Sequence, residues 1–197
     1  MDREQNQAAV PDDPAAPGAV ATPAARRDSL LLNTWVRDVV ISLVVSILFI
    51  IFLYQPVKVE GTSMMPTLAD QERVFINKFV YRLEPIHRGD VVVFRYPRDV
   101  SKSYIKRVIA VEGDVIRIDE GVVYVNDVPL PEPYVPEAYW DTRSYPETVV
   151  PKHAYFVLGD HRNLSNDSRD FGPVKEQYIF GKAVFGYWPF DKLGKLR

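Results

Sequence analysis

The sequence predicts a mainly β protein whose body is tethered by one N-terminal transmembrane helix. Two observations carry this. A single apolar run, Val39–Val57, contains no charged residue. The remainder of the chain reads as short β-branched and aromatic runs broken by Gly, Asp, Asn and Pro, with no second long apolar segment.

Composition narrows the chemistry before any motif is considered. The chain has 197 residues, with 24 Lys+Arg against 26 Asp+Glu and a net charge of −2. That balance offers no basic field for phosphates, so nucleic acid is not an expected partner. Zero cysteines exclude disulfides, thiolate metal sites and a cysteine nucleophile. His87, His153 and His161 are scattered without ligand spacing, and no phosphate-binding glycine loop occurs, so neither metal nor cofactor is expected.

Residues 1–28 are rich in Ala and Pro with short charged residues and no apolar periodicity. They cannot bury a core and are expected to be a disordered tail. The span follows, drawn over 36–57. As a helix, its charge-free part would extend roughly 28 Å, the hydrocarbon thickness of a bilayer. Trp35 and Tyr54 stand near its two ends, where interfacial aromatics are expected. A cleaved leader would need a small-x-small site after the run, whereas the chain continues Gln55-Pro56-Val57-Lys58. Arg26, Arg27 and Arg37 before the charge-free run against Lys58 and Arg73 after it lean towards an inside N-terminus.

Residues 58–197 then form one domain, long enough for a real core. Expected strands are Arg73–Asn77, Asp90–Arg95, Tyr104–Val111, Val115–Ile118, Val122–Val125, Tyr155–Leu158 and Ile179–Gly186, with Asp119-Glu120-Gly121 as a hairpin turn. The proline-rich piece Pro129–Pro151 shows little strand pattern and is expected to be a surface excursion, within a small inserted subregion spanning about 113–152.

Three segments could carry chemistry. Ser63, in Gly61-Thr62-Ser63-Met64-Met65-Pro66-Thr67, sits where a turning backbone presents its hydroxyl and leaves its N–H free. Most serines in such a loop are plain turn residues, and Met65 breaks the GxSxG elbow pattern. Ser63 therefore needs a base. Lys106, on an expected strand with Tyr104 and Val108 on its face, is one candidate. At pH 7 an ordinary lysine is neutral only about once in 2500 molecules, so apolar neighbours must desolvate it. His161 beside Asp160 is the other, through a Ser-His-Asp arrangement. The third segment is Gly159-Asp160-His161-Arg162-Asn163-Leu164-Ser165-Asn166-Asp167-Ser168-Arg169-Asp170-Phe171-Gly172, dense in polar groups. Its Asp167-Ser168-Arg169 lacks the glycine of an aspartic-protease motif. The residues by themselves leave both lysine and histidine open as the partner of Ser63.

Taken together, Ser63-Met64-Met65-Pro66-Thr67, Gly89-Asp90-Val91-Val92, Lys106-Arg107-Val108-Ile109 with Gly113-Asp114, and Gly159–Gly172 resemble the ordered motif set of type I signal peptidases. The resemblance covers about 35–197, including Gly181-Lys182-Ala183-Val184-Phe185 and Trp188-Pro189. It implies a signal-peptidase-like β domain and a membrane serine endopeptidase that removes N-terminal signal peptides from exported preproteins after small residues at −1 and −3. It further implies a bacterial plasma membrane, a cytoplasmic N-terminus, an extracytoplasmic catalytic domain and work beside the protein export channel. Ser63 matches the nucleophile and Lys106 the general base. Ser165 matches the serine that orients the lysine amine, and Asp167 and Arg169 match a bracing ion pair. Met64, Tyr104 and Ile105 are the matched pocket-lining candidates.

Two positions depart from the family pattern. Gly61 stands where some members carry an oxyanion-stabilising serine, and His161 stands where the common motif has Asn. The related Ser/Lys fold of self-cleaving stress-response repressors fits less well, because the span is present and a DNA-binding segment is not. A third reading, of a different class, is a tethered β domain that binds extended peptides without cutting them.

Overall fold

The computed structural model describes residues 25–195. The expected tail lies outside them up to residue 24. Its last four residues instead begin helix α1, Ala25–Leu53. Within α1, Asn33–Ile51 is long and apolar enough to cross a membrane, and none of it is buried in protein. Of the described residues, those up to Val45 form one compact unit and those from Ser46 onward a second.

The helix stops at Leu53, short of the expected boundary at 57. Tyr54–Lys58 form strand β1, paired antiparallel with β2, Arg73–Asn77. Pro56 cannot continue a helical hydrogen-bond ladder but is tolerated on an edge strand, which is where β1 lies.

The other strands are β3 (Val91–Tyr96), β4 (Asp99–Ala110), β5 (Val115–Asp119), β6 (Val122–Val125), β7 (Val128–Pro129), β8 (Tyr145–Val149), β9 (Ala154–Leu158), β10 (Val174–Lys175), β11 (Ile179–Trp188) and β12 (Gly194–Lys195). A short helix, α2, covers Ser168–Phe171. The main sheet has the order β1-β2-β11-β3-β4-β9-β10, with β12 on β11; the small one has the order β7-β6-β5-β8.

Strand β3 shows why the main sheet is covered on both sides. Val91 and Val93 enter one core with Val59, Met64, Leu68, Val74 and Ile76. Val92 and Phe94 enter the opposite core with Ile86, Val108 and Val157. Period-two alternation thus buries all four, and the strand reads as a continuous apolar run.

The small sheet packs Ile116, Ile118, Val123 and Val125 against Ile109, Phe156 and Leu158 of β4 and β9. Its β5–β6 hairpin turns through Glu120 and Gly121, both at positive φ, as a tight two-residue turn requires. Strand β8 corrects the expectation for the proline-rich stretch. Tyr145–Val149 pairs with β5, and Tyr145 stacks edge-on against Phe156 at 5.0 Å. Pro146 obscured this in the sequence, yet β8 is an edge strand, where a missing N–H costs little.

Candidate active site

The loop between β1 and β2 carries Ser63. Both ends are tied, Val59 N–H donating to Glu72 O and Gln71 N–H to Val59 O, each at 2.8 Å. Met64 and Leu68 drive its apolar side fully into the core. Gly61, at φ +97°, turns the chain where an L side chain would be strained, and its N–H donates to Asp70 Oδ1 at 2.7 Å. Ser63 is left half-buried at the rim, and its own N–H donates to no group among the described residues.

Strand β4 brings Lys106 to the same place. Paired with Val92 of β3, its side chain is buried, 4 % exposed. The amine Nζ lies 2.6 Å from Ser63 Oγ and donates to Ile105 O at 2.9 Å. It also stands 5.4 Å from the centre of the Tyr104 ring. Burial disfavours the ammonium and pulls the amine from 10.5 down to about 8, although the charges of Asp167 and Asp160 oppose the shift.

The 159–172 segment supplies the walls. Gly159 is pressed against the Ser63 loop, since a Cβ there would lie 2.5 Å from Ser63 O and 2.2 Å from Ser165 Oγ. His161 N–H donates to Ser63 O, and His161 Nδ1 lies 3.1 Å from Thr62 O. The ring packs on Tyr139 at 4.1 Å. Asp160 gives both carboxylate oxygens to Arg107, at 2.9 and 2.7 Å. His161 is therefore built into the support of the Ser63 loop, and Asp160 is engaged elsewhere.

Asp167 and Arg169 form a two-pronged ion pair, with both N–H to carboxylate distances at 2.8 Å. Burial would raise Asp167, but Arg169, the neighbouring Ser165 hydroxyl and the Gly159 N–H outweigh it and hold the carboxyl below its usual range. Arg169 also reaches Asp141, in the connection leading to β8, at 2.7 Å. Ser165 is buried, and its Oγ makes no hydrogen bond of normal geometry. It does not bond Lys106, whose amine is turned to Ile105 O and Ser63.

Ser63 and Lys106 open onto a cleft of about 380 Å³. Tyr104 and Ile105 line it. Met64 does not, because the residue after Ser63 turns inward and is fully buried. The opposite walls are Val57–Thr62, which lead into Ser63, and Leu164 and Asn166, which sequence reasoning missed. The signal available for those two was adjacency in the chain to Ser165. Among the described residues, no three His, Asp or Glu side chains converge to hold a metal.

A sheet-borne lysine, desolvated against a loop serine at the end of a cleft, has the makings of a hydrolase that needs no cofactor for nucleophilic attack. Residues 32–188 match the family described as signal peptidase, peptidase S26, and the chain belongs to that family. The signal peptidase I of Bacillus licheniformis is 34% identical over 173 residues, covering 83% of this chain and 92% of that protein. The signal peptidase IB of Staphylococcus aureus is 36% identical over 179 residues, with coverages of 82% and 92%. A probable signal peptidase I-1 of a Synechocystis species is 35% identical over 165 residues, with coverages of 79% and 82%. The protein is a signal peptidase, a serine hydrolase that acts on the signal peptides of preproteins.

Proposed function

We propose that Ser63 and Lys106 form a catalytic dyad that cuts preproteins after small residues at −1 and −3. The observation that carries this is the 2.6 Å approach of a buried, easily deprotonated lysine to a hydroxyl at the end of a cleft. Neutral Lys106 accepts the Ser63 proton as Oγ bonds to the carbonyl carbon of the last signal-peptide residue. The free Ser63 N–H stabilises the oxyanion. With Gly61 lacking a hydroxyl and its N–H held by Asp70, Thr62 is the nearest chain neighbour able to supply a second donor.

Collapse breaks the C–N bond, and Lys106 returns the proton to the departing amine. Water, deprotonated by the same lysine, then opens the ester. Ser165 Oγ, buried beside Asp167, keeps lone pairs available to accept the third N–H of Lys106 in its charged state. The Asp167–Arg169 pair braces the segment that carries Ser165. The substrate lies extended between Val57–Thr62 and Ser103–Lys106, adding a strand to the cleft walls. Tyr104 and Ile105 help restrict the side chains that enter.

We place helix α1 in the bacterial plasma membrane with the N-terminus cytoplasmic. The body then lies on the outer face beside the export channel, with the span within α1 and the catalytic domain from 58. The length and exposure of Asn33–Ile51 support this reading.

The test is cleavage of a preprotein bearing an Ala-x-Ala site by the full chain in detergent, alongside Ser63→Ala and Lys106→Ala. A single cut after the second Ala, lost in both variants while they remain folded, is expected. Cleavage at the normal rate by either variant refutes the dyad.

A further inference from the structure

We infer that a second groove, separate from the Ser63 cleft, is a binding site for an anionic phospholipid of the membrane that holds α1; this rests on the membrane-anchored reading above. The groove encloses about 950 Å³ between the stretch following β2 and the segments around β9 and β10. It shares no residue with the Ser63 cleft.

Four cations rim it, Lys78, Arg82, Lys152 and Lys175, all exposed. None of them is in an ion pair with a described residue; Arg82 lies only over the Phe79 ring at 4.8 Å. Glu176 is the single carboxylate in the lining, and it sits 3.4 Å from His153 Nδ1. The groove therefore carries uncompensated positive charge in a chain whose net charge is −2. Its lining between the cations is apolar, from Ile86, Pro151, Ala154, Pro173, Ile179 and Phe180. Cations around an apolar trough match an amphiphile with a phosphate head and a hydrocarbon chain.

Position selects a lipid over a soluble anion. The β1–β2 register sets Tyr54 opposite Asn77, and Lys78 N lies 3.5 Å from Leu53 O, on the last residue of α1. The candidate span ends at Ile51. Lys78 thus stands within about two residues of the point where the chain leaves the hydrocarbon, at the depth of lipid phosphates. Basic side chains just outside a span are where anionic headgroups are held.

The experiment places the full chain in nanodiscs of phosphatidylcholine alone or with about a third phosphatidylglycerol, and follows amide hydrogen exchange segment by segment. Anionic lipid is expected to slow exchange at least threefold in 78–86 and 173–180, and not around the Ser63 loop. Combining Lys78→Glu, Arg82→Glu and Lys175→Glu abolishes this slowing and leaves peptide cleavage in detergent intact. Equal exchange in both discs overturns the inference, as does slowing that survives the triple substitution. Equal slowing by inorganic phosphate or by a soluble polyglutamate in phosphatidylcholine discs also overturns it, in favour of a free anion or an acidic peptide. If the chain fails to stay with the discs, the anchoring reading fails and the inference with it, an outcome distinct from a retained chain with unchanged exchange.

Discussion

Replacing Lys106 with Met should make the protein more stable at pH 7 while abolishing cleavage. The amine is 4 % exposed and gives up its proton at about 8, against 10.5 in an unfolded chain. Below pH 8 both states carry the proton, and folding bears the full cost of burying an ammonium. Between 8 and 10.5 the unfolded chain still holds a proton that the native state has lost, so stability rises with pH by about 1.4 kcal/mol per unit. Above 10.5 the cost is gone. Its size below pH 8 is about 3 kcal/mol, from the difference between the two values.

Met has a similar length, carries no charge and fits an apolar surround. It forfeits the hydrogen bonds to Ile105 O and Ser63 Oγ, together a loss of about 2 kcal/mol. The net expectation is a gain of about 1 kcal/mol at pH 7, turning into a loss of about 2 kcal/mol above pH 10.5. Urea unfolding of the full chain in detergent, followed by tryptophan fluorescence at both pH values, measures the difference. A variant less stable than wild type at pH 7 refutes the reasoning. So does a difference that does not change between pH 7 and 10.5, since the buried charge would then not be its source.

Three further outcomes follow from the site geometry. With Lys106 as base, kcat/KM should rise about tenfold per pH unit below 8 and level off above it, and a pH limb that vanishes in His161→Ala would assign the proton to histidine instead. Gly159→Ala should lower kcat about a hundredfold with little change in KM if Ser63 is the nucleophile, because a Cβ 2.5 Å from Ser63 O must displace the Ser63 backbone; steady-state kinetics on the folded variant separate the two constants. Arg169→Gln leaves the Asp167 carboxylate without its buried partner, and the alkaline limb should move up by about one unit if that charge then acts on Lys106; an unmoved limb would show that Arg169 only holds the loop.

The central strands were legible because their burial is written in their composition. Val91–Phe94 alternates between two cores, so every position is apolar, and Gly-Asp turns mark where such runs begin. The edge strands were not legible. Tyr54–Lys58 continues directly from the helix and contains Pro56, and Tyr145–Val149 contains Pro146 and is mostly exposed. Both are strands because a neighbour pairs with them, and pairing across fifteen or more residues leaves no local trace.

The candidate site divides along the same line. Ser63 and Lys106 stood out through their motifs, and nothing local predicted that 43 positions of separation would close to 2.6 Å. Met64 was misread as pocket lining because its place beside Ser63 says nothing of which way a turn directs each side chain. The wall at Leu164 and Asn166 was hidden because it belongs to the cleft only through the packing of Gly159 on the Ser63 loop.

Alternation along β4 explains how a lysine can be kept easy to deprotonate among carboxylates. Lys106 and Arg107 are consecutive, so the strand sends them to opposite faces. Lys106 faces Ser63, while Arg107 takes both oxygens of Asp160, also touching Thr67 Oγ1 and Gly89 O. Asp167 is held in the same way by Arg169. Each nearby carboxylate that would raise the lysine is thus paired with a guanidinium that does not give up its own charge. Desolvation is left as the dominant influence on Lys106. The same arrangement gives the histidine alternative no support, since Asp160 is turned to Arg107 and the Nδ1 of His161 faces Thr62 O. Under the proposed dyad, the Arg107–Asp160 pair serves the base at a distance, because it offsets a carboxylate that would otherwise hold Lys106 protonated.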